Sequence, residues 1–204
     1  LAIAMAQAGQ RTLIIDADFR KPMQGNIFEV NGEKGLASVL AGISTLEETI
    51  LPTKVKGLEL LACEREVVNP SEMLNSETFA KTLEHLSNKY DRVIIDSPPV
   101  MPVTDAQILA ALCNITLLVL RAEKSTRKVS QQARDGLLSV GARILGAVVN
   151  DVSRKSGRYG YYGYYGYYGH YGHYGYGRSK KEKASDRKPA DVTGKIGADE
   201  NSND

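Results

Sequence analysis

Apolar positions along the chain fall into two kinds of run. Short blocks rich in branched or apolar residues, at 12–15 (TLII), 58–62 (LELLA), 92–96 (RVIID), 115–120 (ITLLVL) and 144–149 (ILGAVV), have strand length and are bounded by turn residues. Between them the spacing is helical. Phe79, Leu83, Leu86 and Tyr90 fall at i, i+4, i+7 and i+11, one face of a 3.6-residue period. Val129, Ala133, Leu137 and Val140 line one side of a second helix, which Ser125 or Thr126 can cap and Gly141 ends. LAIAMAQAGQ predicts a helix stopped at Gly9, and Leu36, Val39 and Leu40 a short one stopped near Gly42. Leu46 and Ile50 suggest one more turn before Pro52. Asn69-Pro70 opens a helix that packs through Met73 and Leu74, and Asp105 starts another through Cys113. Residues 23–34 show little periodicity and read as a loop. The continuous run 115–120 predicts a strand buried on both faces. Mainly apolar strands alternating with helices predict an α/β fold, a doubly wound, mainly parallel sheet with helices on both faces.

The pattern stops near Ser153, after which aliphatic residues nearly vanish. The chain therefore divides into one domain over 1–153, a Tyr/Gly-rich segment over 154–178 and a charged, polar segment over 179–204 expected to be disordered. The first residue is not methionine, and a helix feeding directly into a parallel strand is the second half of a βαβ unit. We therefore expect the sequence to be truncated at its amino end, before a first strand and loop. The 26 basic and 24 acidic residues of the 204 are interspersed and leave a net charge of +2, too little to argue for nucleic acid. Cys63 and Cys113 lack metal-ligand spacing and read as reduced core thiols. No apolar run approaches the ~20 residues of a membrane span.

Charge gathers where strands leave the core. The first strand ends in Asp16 and Asp18, followed by Arg20, Lys21 and Pro22; another ends in Asp96, and the last in Asn150 and Asp151. Ligands of open parallel sheets bind beyond the carboxyl ends of the strands. Hard oxygen donors there suit Mg²⁺, which is held by one or two carboxylates plus substrate phosphates. A solvated strand end is the plainer reading of each acid alone; the combination favours a site.

TLIIDADFRKP at 12–22, YDRVIIDSPPV at 90–100, the Asp105-Ala106 pair and the terminal VVN resemble the P-loop ATPases with a deviant Walker A loop. Within them the chain is similar to the bacterial tyrosine kinases of exopolysaccharide and capsule export. GLASVLAG at 35–42 and NPSEML at 69–74 fit the same pattern in the same order, and the resemblance runs to about Val152. It implies an ATP- and Mg²⁺-dependent kinase in which Asp96 holds the metal through water and Asp16 and Asp18 lie beside the γ-phosphate. One of these two, Asp16 ahead of Asp18, would face the acceptor hydroxyl, and Asp16 would share in metal binding. Arg20 would meet phosphate oxygens or a neighbouring subunit, with a surface ion pair as the alternative, and Asn150 would read adenine. The family's Gly-rich phosphate loop would precede Leu1, so these 204 residues alone are expected to be inactive. The segment 62–68 (ACEREVV) is more charged than the family pattern, which puts that loop's conformation in doubt.

Residues 159–177 read YGYYGYYGYYGHYGHYGYG and hold ten of the eleven tyrosines. Neither a helical nor a strand period can bury such a repeat, so it is expected to be solvated and flexible. An inert sticky tail and a weak metal site at His170 and His173 are two readings. The resemblance favours a third, in which Tyr159, Tyr161, Tyr162, Tyr164, Tyr165, Tyr167, Tyr168, Tyr171, Tyr174 and Tyr176 are phosphoacceptors. It further implies a ring-like homo-oligomer with each tail in a neighbour's site, a membrane polysaccharide co-polymerase or activator module in cis or trans, and a cognate tyrosine phosphatase. The place would be the cytoplasmic face of the bacterial plasma membrane. The competing functions are a partitioning or septum-positioning ATPase switch and a degenerate regulatory subunit.

Overall fold

A computed structural model describes residues 1–30, 32–64, 67–101 and 103–152. The tyrosine cluster, His170, His173 and the two proposed tail segments lie outside the described residues. The chain runs α1 (Ala2–Gln7), β1 (Thr12–Asp16), α2 (Gln24–Phe28), α3 (Leu36–Leu40), α4 (Leu46–Thr49), β2 (Ile50–Pro52) and β3 (Leu58–Leu61). It continues through α5 (Pro70–Leu74), α6 (Glu77–Lys89), β4 (Arg92–Asp96), α7 (Asp105–Leu112), β5 (Thr116–Arg121), α8 (Arg127–Ser139) and β6 (Ile144–Asn150).

Four strands form one sheet in the order β2-β3-β1-β4. The β1 strand pairs in parallel with both β3 and β4, and β2 joins the far edge antiparallel to β3. Successive side chains of a strand point to opposite faces, and both faces of this sheet are covered. Leu13 and Ile15 of β1 pack with Leu61, Leu36, Leu74, Phe79, Leu86 and Leu109, contributed by β3 and helices α3, α5, α6 and α7. Ile14 turns the other way, with Leu58 and Leu60, toward Ala2 and Ala6 of α1. All five residues of β1 are buried; Leu13, Ile14 and Ile15 are apolar, and the Thr12 hydroxyl is satisfied by donating to the Gln10 carbonyl at 3.0 Å.

The expected single sheet is divided. Strands β5 and β6 pair in parallel as a separate two-stranded sheet, and β5 is not buried on both faces. Leu118 and Ile144 pack with Ala110 of α7 and Leu137 of α8, whereas Val119 and Leu145 are 61% and 73% exposed. An unbroken apolar sequence reports what a strand can tolerate on each face, not whether both are covered. Helix α7 serves both sheets, with Leu109 in the large core and Ala110 in the smaller one.

Three smaller differences are local. Residues 23–34 are not wholly loop, since α2 occupies Gln24–Phe28; the expected turn after Leu46 is α4, and the unforeseen strand β2 follows it over Ile50–Pro52. Thr45 caps α4 reciprocally with Glu48, and β2 begins directly at that helix's end. Thr126, not Ser125, caps α8 by accepting from the Val129 N–H.

Candidate active site

The end of β1 lies beside the end of β4 because the two strands pair in register, Asp16 opposite Asp96. The ladder continues one step further, with the Ala17 N–H donating to the Asp96 carbonyl at 2.9 Å. Two of the predicted acids are thus neighbours for a backbone reason, independent of their side chains.

The Asp16 side chain is fully buried. Its Oδ1 accepts from the Asp18 N–H at 3.2 Å, and its Oδ2 from the N–H groups of Met23 and Gln24, both at 2.9 Å. The latter two donors are at the start of α2, where N–H groups have no partner within the helix. Burial raises the Asp16 pKa; the backbone donors oppose that and the Asp96 charge adds to it. A carboxylate offers about four lone-pair positions, so one on Oδ1 stays open. Asp18 is half-buried, and its Oδ1 accepts from the N–H groups of Arg20 at 3.1 Å and Lys21 at 3.0 Å. Together the two aspartates shape the turn 16–24.

Gln24 was not singled out by sequence, yet it touches both acids. Beyond its backbone bond to Asp16, its Nε2 donates to Asp96 Oδ2 at 2.6 Å.

Arg20 forms an ion pair within the chain, with a buried partner. Its Nε donates to Asp105 Oδ2 at 2.9 Å and its Nη2 to Oδ1 at 3.5 Å. The Arg20 side chain is 45% exposed and that of Asp105 not at all, and Ser71 Oγ also donates to Asp105. Burial works against the charged form of Asp105, but the bonds from Arg20 and Ser71 prevail and hold its carboxyl below the ordinary range. This cluster ties the β1 turn to the starts of α5 and α7.

Glu64, in the charged segment, has a structural use. Glu64 accepts from the N–H groups of Gly35 at 2.6 Å, Ala37 at 2.8 Å and Ser38 at 2.8 Å, capping α3 from outside. Burial disfavours its charge, but the Ser38 side chain first, and then the Ser38 and Gly35 N–H groups, hold its pKa below the usual value. Gly35 is required there by contact, since a Cβ would lie 2.2 Å from the Ala62 carbonyl oxygen. A cleft of about 430 Å³ opens beside this loop, bounded by Pro22, Gly25, Gly32, Cys63 and Glu64. Burial first, then the charges of Asp16, Glu64 and Asp18, pushes the Cys63 thiol far up, so it is no thiolate nucleophile.

Asn150 ends β6, in the other sheet, opposite Arg121. It is exposed, and its Oδ1 accepts from the Asp151 N–H at 2.9 Å, while Asp151 pairs with Arg121. The described contacts therefore join Asp16, Asp18, Asp96 and Gln24 and leave Asn150 apart. No cluster of three or more His, Cys, Asp or Glu side chains suited to a metal occurs among the described residues. Paired hard carboxylates at strand ends nonetheless fit Mg²⁺, which needs one or two from the protein when phosphates and water supply the rest.

A mainly parallel α/β sheet with acids at the ends of adjacent strands places them where open-sheet proteins bind ligands. The family model described as an AAA domain matches residues 1–132. The septum site-determining protein MinD of Pyrococcus horikoshii, solved with Mg-ADP, shares the fold at a TM-score of 0.65 over 76% of this chain and 63% of that one, at 22% identity. Closer relatives narrow the class. The putative tyrosine-protein kinase CapB of Staphylococcus aureus is 39% identical over 150 residues, 74% of this chain and 66% of that protein. The tyrosine-protein kinase ptk of Acinetobacter johnsonii is 38% identical over 159 residues, 78% of this chain but 22% of its own length. The chimerical protein CapA2B2 superposes with a TM-score of 0.73 at 37% identity, covering 76% of this chain and 68% of that structure. The chain belongs to the bacterial tyrosine kinase family of P-loop proteins, and it spans about two thirds or less of the first of these relatives.

Proposed function

We propose that this chain is the nucleotide-binding part of an ATP- and Mg²⁺-dependent protein tyrosine kinase that phosphorylates the tyrosines of its own C-terminal cluster in trans, in capsule or exopolysaccharide production. The observation that carries the reading is the in-register pairing of Asp16 and Asp96 within a chain 39% identical to a tyrosine-protein kinase. In the reaction a tyrosine hydroxyl oxygen bonds to the γ-phosphorus, the bond from that phosphorus to the β,γ-bridging oxygen breaks, and ADP leaves. The hydroxyl proton passes to Asp16. Phosphoryl transfer has a loose transition state that demands little of its nucleophile. A carboxylate is a weak base toward a phenol of pKa about 10, so positioning is the larger part of its role, and burial improves it as a base. Since Asp16 is fully buried, the turn 16–24 opens to admit the hydroxyl.

Asp96 and Asp16 are the residues to hold Mg²⁺, which when bound neutralises phosphate charge. Asp18 and Arg20 border the phosphates, with Arg20 held by Asp105, and Asn150 contacts adenine. A ring-like homo-oligomer, a polysaccharide co-polymerase partner, a tyrosine phosphatase and a place at the cytoplasmic face of the plasma membrane complete the proposal. Among the described residues no helix is long and apolar enough to cross a membrane. The test is to incubate the complete gene product with ATP and Mg²⁺ and map phosphotyrosine by mass spectrometry. Modification between Tyr159 and Tyr176 is expected. Phosphate release without phosphotyrosine would instead make the protein an ATPase switch.

A further inference from the structure

Among the described residues, Gln24 is the one whose backbone and side chain bond separately to the two paired acids. Its N–H reaches Asp16 Oδ2 at 2.9 Å and its Nε2 reaches Asp96 Oδ2 at 2.6 Å. It opens α2, so the same residue fixes the helix start, the buried Asp16 carboxylate and the half-buried Asp96 carboxylate. Two acids side by side at parallel strand ends repel. A neutral amide donor between them relieves that repulsion without adding a cation. A lysine in this place would satisfy the same oxygen but compete with a divalent cation for it. The geometry is that of an outer partner to a ligating carboxylate: a donor on one oxygen fixes the rotamer and leaves the other oxygen available. Among the described residues no hydrogen bond other than that from Gln24 reaches the Asp96 carboxylate.

We infer that Gln24 is a positioning residue for divalent-cation binding, holding the Asp96 carboxylate in its metal-ready orientation and coupling it, through Asp16 and α2, to the turn 16–24. The inference rests on the proposed Mg²⁺-nucleotide site. Loss of such an outer partner lowers metal affinity by about 10- to 100-fold.

The experiment uses the complete gene product with Mn²⁺ as the probe, bound in the presence of ADP and followed by electron paramagnetic resonance, beside the Mg²⁺ dependence of ATP turnover. Gln24→Ala removes the donor; Gln24→Met removes it while keeping the side chain's length and bulk. Both variants are expected to bind Mn²⁺ at least about tenfold more weakly. Half-saturating Mg²⁺ should rise by a similar factor, while kcat at saturating Mg²⁺ stays within about twofold, a split that general destabilisation would not produce. Asp96→Ala should abolish Mn²⁺ binding. If both Gln24 variants bind as the parent does while Asp96→Ala does not bind, the positioning role is wrong and the metal site stands. If Gln24→Met binds normally and only Gln24→Ala is weak, the side chain merely fills space and the inference falls. If Asp96→Ala binds normally, the metal site itself is wrong.

Discussion

The two sheets of this domain are built from equally apolar strands and live in different surroundings. In the four-stranded sheet β1 is buried throughout and ends in a buried carboxylate that accepts from three backbone N–H groups. In the β5–β6 pair alternate side chains of β5 are exposed, and the terminal Asn150 and Asp151 lie in solvent. Burial, not apolarity, separates a strand end that can shift a pKa and order a turn from one that caps itself. Asp16 and Asn150 close similar sequences, but only Asp16 has neighbours that constrain its chemistry.

The contrast can be broken most readily by truncation. Leu13→Ala should cost about 2–5 kcal/mol, the range for deleting a fully buried leucine, whereas Val119→Ala on the exposed face should cost about 1 kcal/mol or less. Denaturant unfolding of the two variants measures both, and equal losses would show that β5 is as enclosed as β1. A smaller, more local effect is expected at Glu64. Removing its carboxylate in Glu64→Ala should cost about 2 kcal/mol through lost charged hydrogen bonds, and the amides of Gly35, Ala37 and Ser38 should exchange faster while those of β1 do not.

The smallest effects are in pH dependence, where two acids of the large sheet should act with opposite sign. Asp91, hydrogen-bonded by the Arg11 side chain and backbone, is held down to about 2. Its folded-state value lies below its unfolded one, so its stabilisation is complete above about pH 4 and is lost as pH falls toward 2. Asp91→Asn should flatten stability across that window. Asp16 is raised above 3.8 by burial, so its contribution is complete below that value and is lost as pH rises through its higher folded value. Carboxyl-carbon NMR titration reads both directions; a lowered Asp16 would contradict the burial argument.

Much of this was legible in order along the chain. The strands ending in Asp16 and Asp96, the helix packed through Phe79 and Leu86, and the Gly9 and Gly141 stops follow from period and turn chemistry, which are local. What sequence hid is tertiary. Gln24 sits in an aperiodic stretch and meets both acids only because the turn folds back onto two strand ends, bringing it to Asp96, 72 residues away. Arg20 and Asp105 are 85 residues apart, and Arg20's carboxylate partner lies within the same chain, which no charge count could show. Glu64 looked like a departure from the family pattern and proves to be the cap of α3. Strand β2 is three residues long and ends in proline, too short for any period to register. The run 115–120 gave a strand correctly and its burial incorrectly, because sheet membership is decided by other strands.

The paired acids are the centre of this account, and phosphotyrosine mapping of their variants tests it most directly. Asp16→Asn and Asp96→Asn in the complete gene product should each lower phosphorylation of Tyr159 to Tyr176 by about a hundredfold or more, with circular dichroism unchanged, while Asn150→Ala should weaken ATP binding and retain labelling at saturating ATP. Parental labelling in either aspartate variant would contradict the assignment of phosphoryl transfer to the ends of β1 and β4.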